Sequence, residues 1–175
     1  DGELLRVSLR AFISERISSL SLVHNAGIVE RDRADTVTLE GFEVMMRVNV
    51  YAALELNRLL LPMIPVQTGS SILYIGSTLS YLGVPDYFSY ITAKHALLGM
   101  MRATAQDLKP KGIHTACICP SFTDTDMLAY LFPGDQIQGV KQQFGDLISP
   151  EVIAKAIFFA ASTPECNGLL LPIDK

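Results

Sequence analysis

The sequence predicts an α/β domain built on a doubly wound parallel sheet whose first strands are missing from the chain. Three observations carry this. Short apolar runs alternate with helical stretches along the 175 residues. The apolar runs lack a polar face, the mark of strands covered by crossover helices on both sides. Only four such strands can be found, where a sheet of this class usually has about six.

The elements follow in order. Gly2–Ser18 has helical spacing, with Leu5, Leu9, Phe12, Ile13 and Ile17 on one side. Ser21–His24 is a short strand running into the turn Asn25-Ala26-Gly27. Thr38–Met63 is a long helix, with Thr38 as its cap and Pro62 near its end. Ser71–Ile75 is a buried strand ending at Gly76-Ser77. Tyr87–Leu108 is helical and rich in Ala, Met and Leu, and Pro110 and Gly112 stop it. Ile113–Cys119 is a strand closed by Pro120. Leu128–Asp146 reads as a loop carrying Tyr130, Leu131, Phe132, Ile137 and Phe144, hence as an apolar pocket wall. Pro150–Ala161 is helical, with Glu151 in its first turn, and Leu169–Pro172 is a last strand. No repeat or linker divides the chain, so residues 1–175 read as a single domain.

Composition removes several function classes. The chain is 49% hydrophobic and 18% charged, the opposite of a disordered protein. The apolar excess suggests that some surface is buried against a partner subunit. A net charge of −4 without a basic cluster argues against nucleic acid. The longest apolar run, Leu59–Val66, is short and holds two prolines, so no membrane partner is expected. Three cysteines, 117, 119 and 166, make no disulfide framework and point to a reducing cytoplasm. Cys117 and Cys119 read as small core residues and Cys166 as a free thiol in a loop. His95 and His114 lack ligand spacing, so no metal is expected.

The chemistry sits at the strand ends, where ligands bind in such sheets. Tyr90 and Lys94 stand at i and i+4, on one helix face. An ammonium beside a phenol favours the phenolate and draws its pKa down. Such a phenol can act as acid or base toward a carbonyl or alcohol oxygen. Tyr87 is a rival, but Lys94 lies seven positions away. Ser77 lies at a strand end, while its rival Ser80 falls past it.

His24-Asn25-Ala26-Gly27, Asn49 in the long helix, Ser77, Tyr90/Lys94 and Pro120-Ser121-Phe122-Thr123-Asp124-Thr125 occur in that order. Together they resemble the short-chain dehydrogenase/reductase family, above all its 3-oxoacyl-carrier-protein-reductase-like branch. The family pattern is N-N-A-G, a helix Asn, Ser, Y-x-x-x-K, then P-G-x-x-x-T. The resemblance implies a Rossmann-like fold and an NAD(P)-dependent oxidoreductase acting on a carbonyl or secondary alcohol, with NADP favoured over NAD. It implies that Tyr90 is the acid/base and that Lys94 lowers its pKa and bonds the nicotinamide ribose. Ser77 would orient the substrate oxygen. Asn49 would kink its helix and hold a water on a proton path from Lys94. Asn25, Ala26 and Gly27 would line the adenosine side. Thr125 and the backbone at Thr123 would hold the carboxamide, and Pro120 would line the cofactor site beside them. Dimers or tetramers are implied too, pairing helices Thr38–Met63 and Tyr87–Leu108, the second through Ala96, Leu97, Met100, Met101, Ala103 and Ala105. A steroid, sugar or polyol is a second substrate class, although the apolar loop offers few groups to a sugar.

The chain departs from the pattern at His24, which replaces an Asn, and at Ser121, which replaces a Gly. No two of its 12 glycines form the G-x-G of a phosphate loop. It therefore reads as the carboxyl-terminal catalytic portion of a larger domain, with about 60 residues of the family pattern preceding it. The other possibility is a non-catalytic fragment or pseudoenzyme that serves as a binding or assembly module.

Overall fold

The computed structural model describes residues 17–174. The helix expected over Gly2–Ser18 lies outside them, except for Ile17 and Ser18, which are not helical. Strands β1 (Ser21–His24), β2 (Ser71–Ile75), β3 (His114–Pro120) and β4 (Leu169–Ile173) form one sheet in the order β1-β2-β3-β4. Every pairing is parallel, with Ser21 opposite Ser71, Ser71 opposite His114 and Ala116 opposite Leu169. Among the described residues β1 pairs only with β2.

Both faces are covered, as the apolar strands require. Helix α3 (Phe88–Leu108) lays Leu97, Leu98, Met101 and Ala105 on Ile72, Tyr74, Cys117 and Cys119. On the other face, helix α6 (Pro150–Ser162) lays Ile153 and Ala160 on Leu73, Ala116 and Ile118. Alternate residues of β2 and β3 therefore serve two cores, which is why neither strand has a polar face.

The long helix expected over Thr38–Met63 is interrupted. Helix α1 (Leu39–Met46) is capped by the Thr38 hydroxyl, which accepts from the Gly41 N–H. A π-turn, Arg47–Tyr51, joins it to α2 (Ala52–Leu60), and a 3₁₀ turn, Leu61–Met63, closes the run at Pro62. The π-turn surrounds Asn49, whose amide donates to Met45 O four residues earlier. A side chain that occupies a ladder carbonyl lets the helix take in an extra residue.

The segment expected to be a loop holds two helices, α4 (Asp126–Leu131) and α5 (Gln136–Phe144). Their shortness and the Pro133-Gly134 break hide any helical period, and α5 buries only Val140. The apolar surplus expected on α3 is also corrected. Leu97, Met101 and Ala105 are buried under the sheet, and the solvent-facing positions are mainly His95, Gly99, Arg102, Ala103 and Gln106. Exposed apolar residues stand instead on α1, the π-turn and α2, as Leu39, Val44, Tyr51 and Leu54.

Candidate active site

Four of the expected residues meet at the carboxyl ends of β1 and β2. Tyr90 and Lys94 lie one turn apart on α3, 8% and 5% exposed. The Lys94 ammonium donates to Ile75 O at 2.9 Å and lies 5.5 Å from the centre of the Tyr90 ring. Ser77 starts the 3₁₀ turn Thr78–Ser80; its hydroxyl accepts from the Leu79 N–H at 3.1 Å and stands near enough to the Tyr90 phenol to pull its pKa down. Ser80 has a different place: it is fully buried, and its hydroxyl accepts from the Ser77 N–H. It braces the turn that presents Ser77. Tyr87 packs beside Tyr90 but precedes the helix.

Asn49 ties this cluster to the turn after β1. Its side-chain oxygen accepts from the Ile28 N–H at 3.2 Å, and its amide donates to Ile28 O at 3.0 Å. This two-way bond needs Gly27. A Cβ there would stand 2.8 Å from Asn49 Oδ1 and 3.7 Å from Lys94 Nζ. Asn25 and Ala26 are exposed at the mouth of the same turn. Gly76 is equally constrained: a Cβ would meet Ser80 Oγ, Cys117 Sγ and Cys119 Sγ at 2.7–2.9 Å. Cys117 and Cys119 are fully buried, with their sulfurs 3.6 Å apart, and they pack beneath the hinge that carries Ser77. Cys166 is buried as well, in a 3₁₀ turn, and all three cysteines are unpaired.

Burial governs the charges. It pushes the Tyr90 phenol up to about 12, against the pull of the Ser77 hydroxyl. It pushes the Lys94 ammonium down to about 8, against the nearby sulfurs of Cys117 and Cys119. The depressed phenol expected from the Tyr90–Lys94 spacing is therefore not found. A lysine that deprotonates near 8 is neutral before a phenol at 12 ionises in bulk titration, so its charge acts on the phenolate only below about 8. At neutral pH both groups hold their protons.

The helix start that bears Tyr90 is set by Asp32. Its carboxylate accepts from the Ser89 N–H at 3.0 Å and from the Ser89 hydroxyl, and its carbonyl accepts from the Phe88 N–H. Nothing in the sequence announces this cap, because it comes from 57 positions away.

The segment after β3 leaves the carboxyl end of the strand beside β2. Pro120 ends the strand, and the Ser121 N–H bonds Ile173 O. Ser121 is not among the described residues with a left-handed backbone, so a side chain fits where the family has glycine. Thr123 bridges Ile148, and the Thr125 hydroxyl donates to Thr123 O at 3.3 Å. Neither threonine hydroxyl bonds Tyr90 or Lys94: Thr123 donates to Ser121 O and Thr125 to Thr123 O.

His24 does more than adjust a turn. It donates from Nε2 to Asn57 Oδ1, Asn57 donates to the Tyr74 hydroxyl, Tyr74 to Thr104, and Thr104 to Met100 O. The chain ends on a backbone acceptor, which fixes the direction of every bond in it. Burial lowers the His24 pKa and keeps the ring neutral. His114 is buried too, with Nε2 on Ala160 O.

The chain is similar to known oxidoreductases. A family model described as Enoyl-(Acyl carrier protein) reductase matches residues 8–174. A short chain dehydrogenase, ple7, of Rhodocybe pseudopiperita is 32% identical over 94% of this chain and 70% of its own length. The 3-oxoacyl-[acyl-carrier-protein] reductase FabG of Chlamydia trachomatis is 28% identical over 99% of this chain and 71% of its own. Among solved structures, a blue fluorescent protein from a metagenomic library in complex with NADPH superposes with a TM-score of 0.83 at 29% identity. This chain is covered over 99% of its length in that match, and the other over 71%.

Proposed function

The chain belongs to the short-chain dehydrogenase/reductase family of oxidoreductases, and from that premise we propose that it interconverts a carbonyl and a secondary alcohol with NADP(H) or NAD(H). The observation that carries this is the half-buried Ser77 hydroxyl beside the buried Tyr90 phenol, with the buried Lys94 ammonium next to that ring. Two hydroxyls facing one space can hold a single oxygen, as a carbonyl requires. Nicotinamide, when bound, supplies the hydride or takes it up.

The residues present suit the ribose–nicotinamide half of such a cofactor. An ammonium has three donors, and Lys94 spends one on Ile75 O, leaving donors for ribose hydroxyls. Gly27 keeps the floor between Asn49 and Lys94 low enough for a ligand to approach. Asn25, Ala26 and Gly27 would take the adenosine side, Thr125 and the backbone at Thr123 the carboxamide, and Pro120 would line the cofactor site beside them. The NADPH of the metagenomic relative supports NADP.

In the reductive direction Ser77 holds the carbonyl oxygen and Tyr90 gives it a proton. A phenol near 12 is fully protonated at neutral pH, so the donor is ready. Charged Lys94 then stabilises the phenolate until solvent returns the proton. Asn49 acts by fixing the turn that faces Lys94. The substrate is a small and fairly apolar molecule, because Leu131 packs in the apolar cluster that holds Tyr90. We read the chain as one catalytic domain, self-associating through the exposed Leu39, Val44, Tyr51 and Leu54 as a dimer or tetramer. Its unpaired cysteines suit a reducing cytoplasm. No helix among the described residues is long and apolar enough to cross a membrane.

The test is thermal unfolding with NADP(H) and with NAD(H), paired with ketone-dependent loss of reduced cofactor absorbance. A cofactor at ~100 times its dissociation constant should add about 2.7 kcal/mol. If neither cofactor stabilises the protein and no ketone is turned over, the domain is a binding module and not an enzyme.

A further inference from the structure

The loop after β1 carries two arginines with contrasting surroundings. Arg33 is neutralised, pairing with Asp35 at 3.0 Å and Asp86 at 3.3 Å. Arg31 makes no ion pair among the described residues. Its guanidinium lies against two rings, 5.8 Å from the centre of Tyr87 and 5.2 Å from that of Phe132. Its one polar contact among the described residues is a long bond from Nη2 to Leu131 O at 3.4 Å. A guanidinium lying over aromatic rings is held by its faces and keeps its N–H edge for an acceptor.

The nearby carboxylates are engaged elsewhere. Glu30 accepts from the Tyr130 hydroxyl at 2.9 Å. Asp32 holds Ser89, and Asp35 and Asp86 hold Arg33. The rings that fix Arg31 also locate it. Tyr87 and Leu131 pack in the same apolar cluster as Tyr90. The exposed arginine thus stands one layer of side chains out from the phenol, through Tyr87.

We infer that Arg31 is a substrate-binding residue whose guanidinium takes the anionic end, carboxylate or phosphate, of a keto substrate whose carbonyl lies at Ser77 and Tyr90. This rests on the carbonyl-reducing function proposed above. It adds a charge requirement to a pocket that is otherwise apolar. An acyclic ketone with an anionic tail fits such a site, and a steroid or polyol without charge does not. Both anions present coplanar or clustered oxygens that match a guanidinium edge.

The alternative role for Arg31 is mechanical: pinning α4 through Leu131 and Phe132. Calorimetric titration of the chain with levulinate, dihydroxyacetone phosphate and neutral methyl levulinate separates the two. The wild type should bind one of the two anionic ketones at least ~10-fold tighter than the ester, that span being about 1.4 kcal/mol. Which anion it prefers identifies carboxylate or phosphate. Arg31→Ala should abolish the preference and leave ester binding within about twofold, and Arg31→Lys should keep part of it. No preference in the wild type, or equal loss of all three ligands in Arg31→Ala, overturns the inference. Turnover of the same ketones with NADPH is read separately. Its absence breaks the oxidoreductase proposal while the binding comparison still decides Arg31.

Discussion

Replacing Gly27 by alanine probes the packing on which the whole site depends. The new Cβ would lie 2.8 Å from Asn49 Oδ1, closer than such atoms come, so the amide must retreat by about 0.5 Å. The bond from the Ile28 N–H to that oxygen is already 3.2 Å long, and the retreat takes it out of range. The companion bond to Ile28 O, at 3.0 Å, is strained with it. Two lost bonds at about 1 kcal/mol each, with a buried amide left short of partners, sum to about 2–4 kcal/mol. Urea unfolding followed by circular dichroism would register this as a midpoint lowered by about 1–2 M, using a slope of about 2 kcal/mol/M. The control is Gly99→Ala, where a Cβ in α3 meets nothing within 4 Å. Helix propensity predicts that this second change stabilises, by about 0.5–1 kcal/mol. Midpoints for Gly27→Ala and the wild type that agree within about 0.2 M would refute the Gly27–Asn49 contact as a constraint.

Other consequences are as direct. The reductive rate should fall as pH climbs through about 8, because Lys94 loses the charge that stabilises the Tyr90 phenolate, and Lys94→Met should lack that inflection. The same residue links pH to stability. Its folded pKa is lowered from 10.5 to about 8, so the unfolded chain binds more protons between those values. The wild type should therefore gain stability relative to Lys94→Met as pH rises across that window, by on the order of 3 kcal/mol in denaturant titrations. Asn57→Leu should cost about 2–4 kcal/mol of unfolding free energy, since it strands the His24 Nε2–H and the Tyr74 hydroxyl in the core. A loss below about 0.5 kcal/mol would mean that the chain of bonds relaxes without it.

The sheet was legible because its strands are uniformly apolar and end at sharp punctuation. Ser21–His24 and Ser71–Ile75 match in both bounds, stopped by Asn25 and Gly76. The cluster of Asn49, Ser77, Tyr90 and Lys94 was legible from order and spacing, and the structure brings the four residues together. What escaped depends on partners far along the chain. Asp32 caps α3 across 57 positions, and Asn57 joins His24 to Tyr74 across three elements. No local pattern encodes such contacts. The electrostatics escaped for another reason. Spacing shows that a lysine adjoins a phenol, but the depth of burial sets the sign of the phenol's shift, and burial belongs to the assembled fold. Helices α4 and α5 were hidden because one has six residues and the other has a mostly polar surface.

The central claim is that the Tyr90 hydroxyl moves the proton. Tyr90→Phe keeps the ring in its cluster with Val29, Met45 and Ala93 and removes only that hydroxyl. The measurement is kcat for NADPH-dependent ketone reduction by wild type and variant, with unfolding midpoints recorded for both. The account predicts a fall of at least ~100-fold with the fold retained. Turnover within a factor of about three of the wild type would contradict it, and the proton would then have to come from another group.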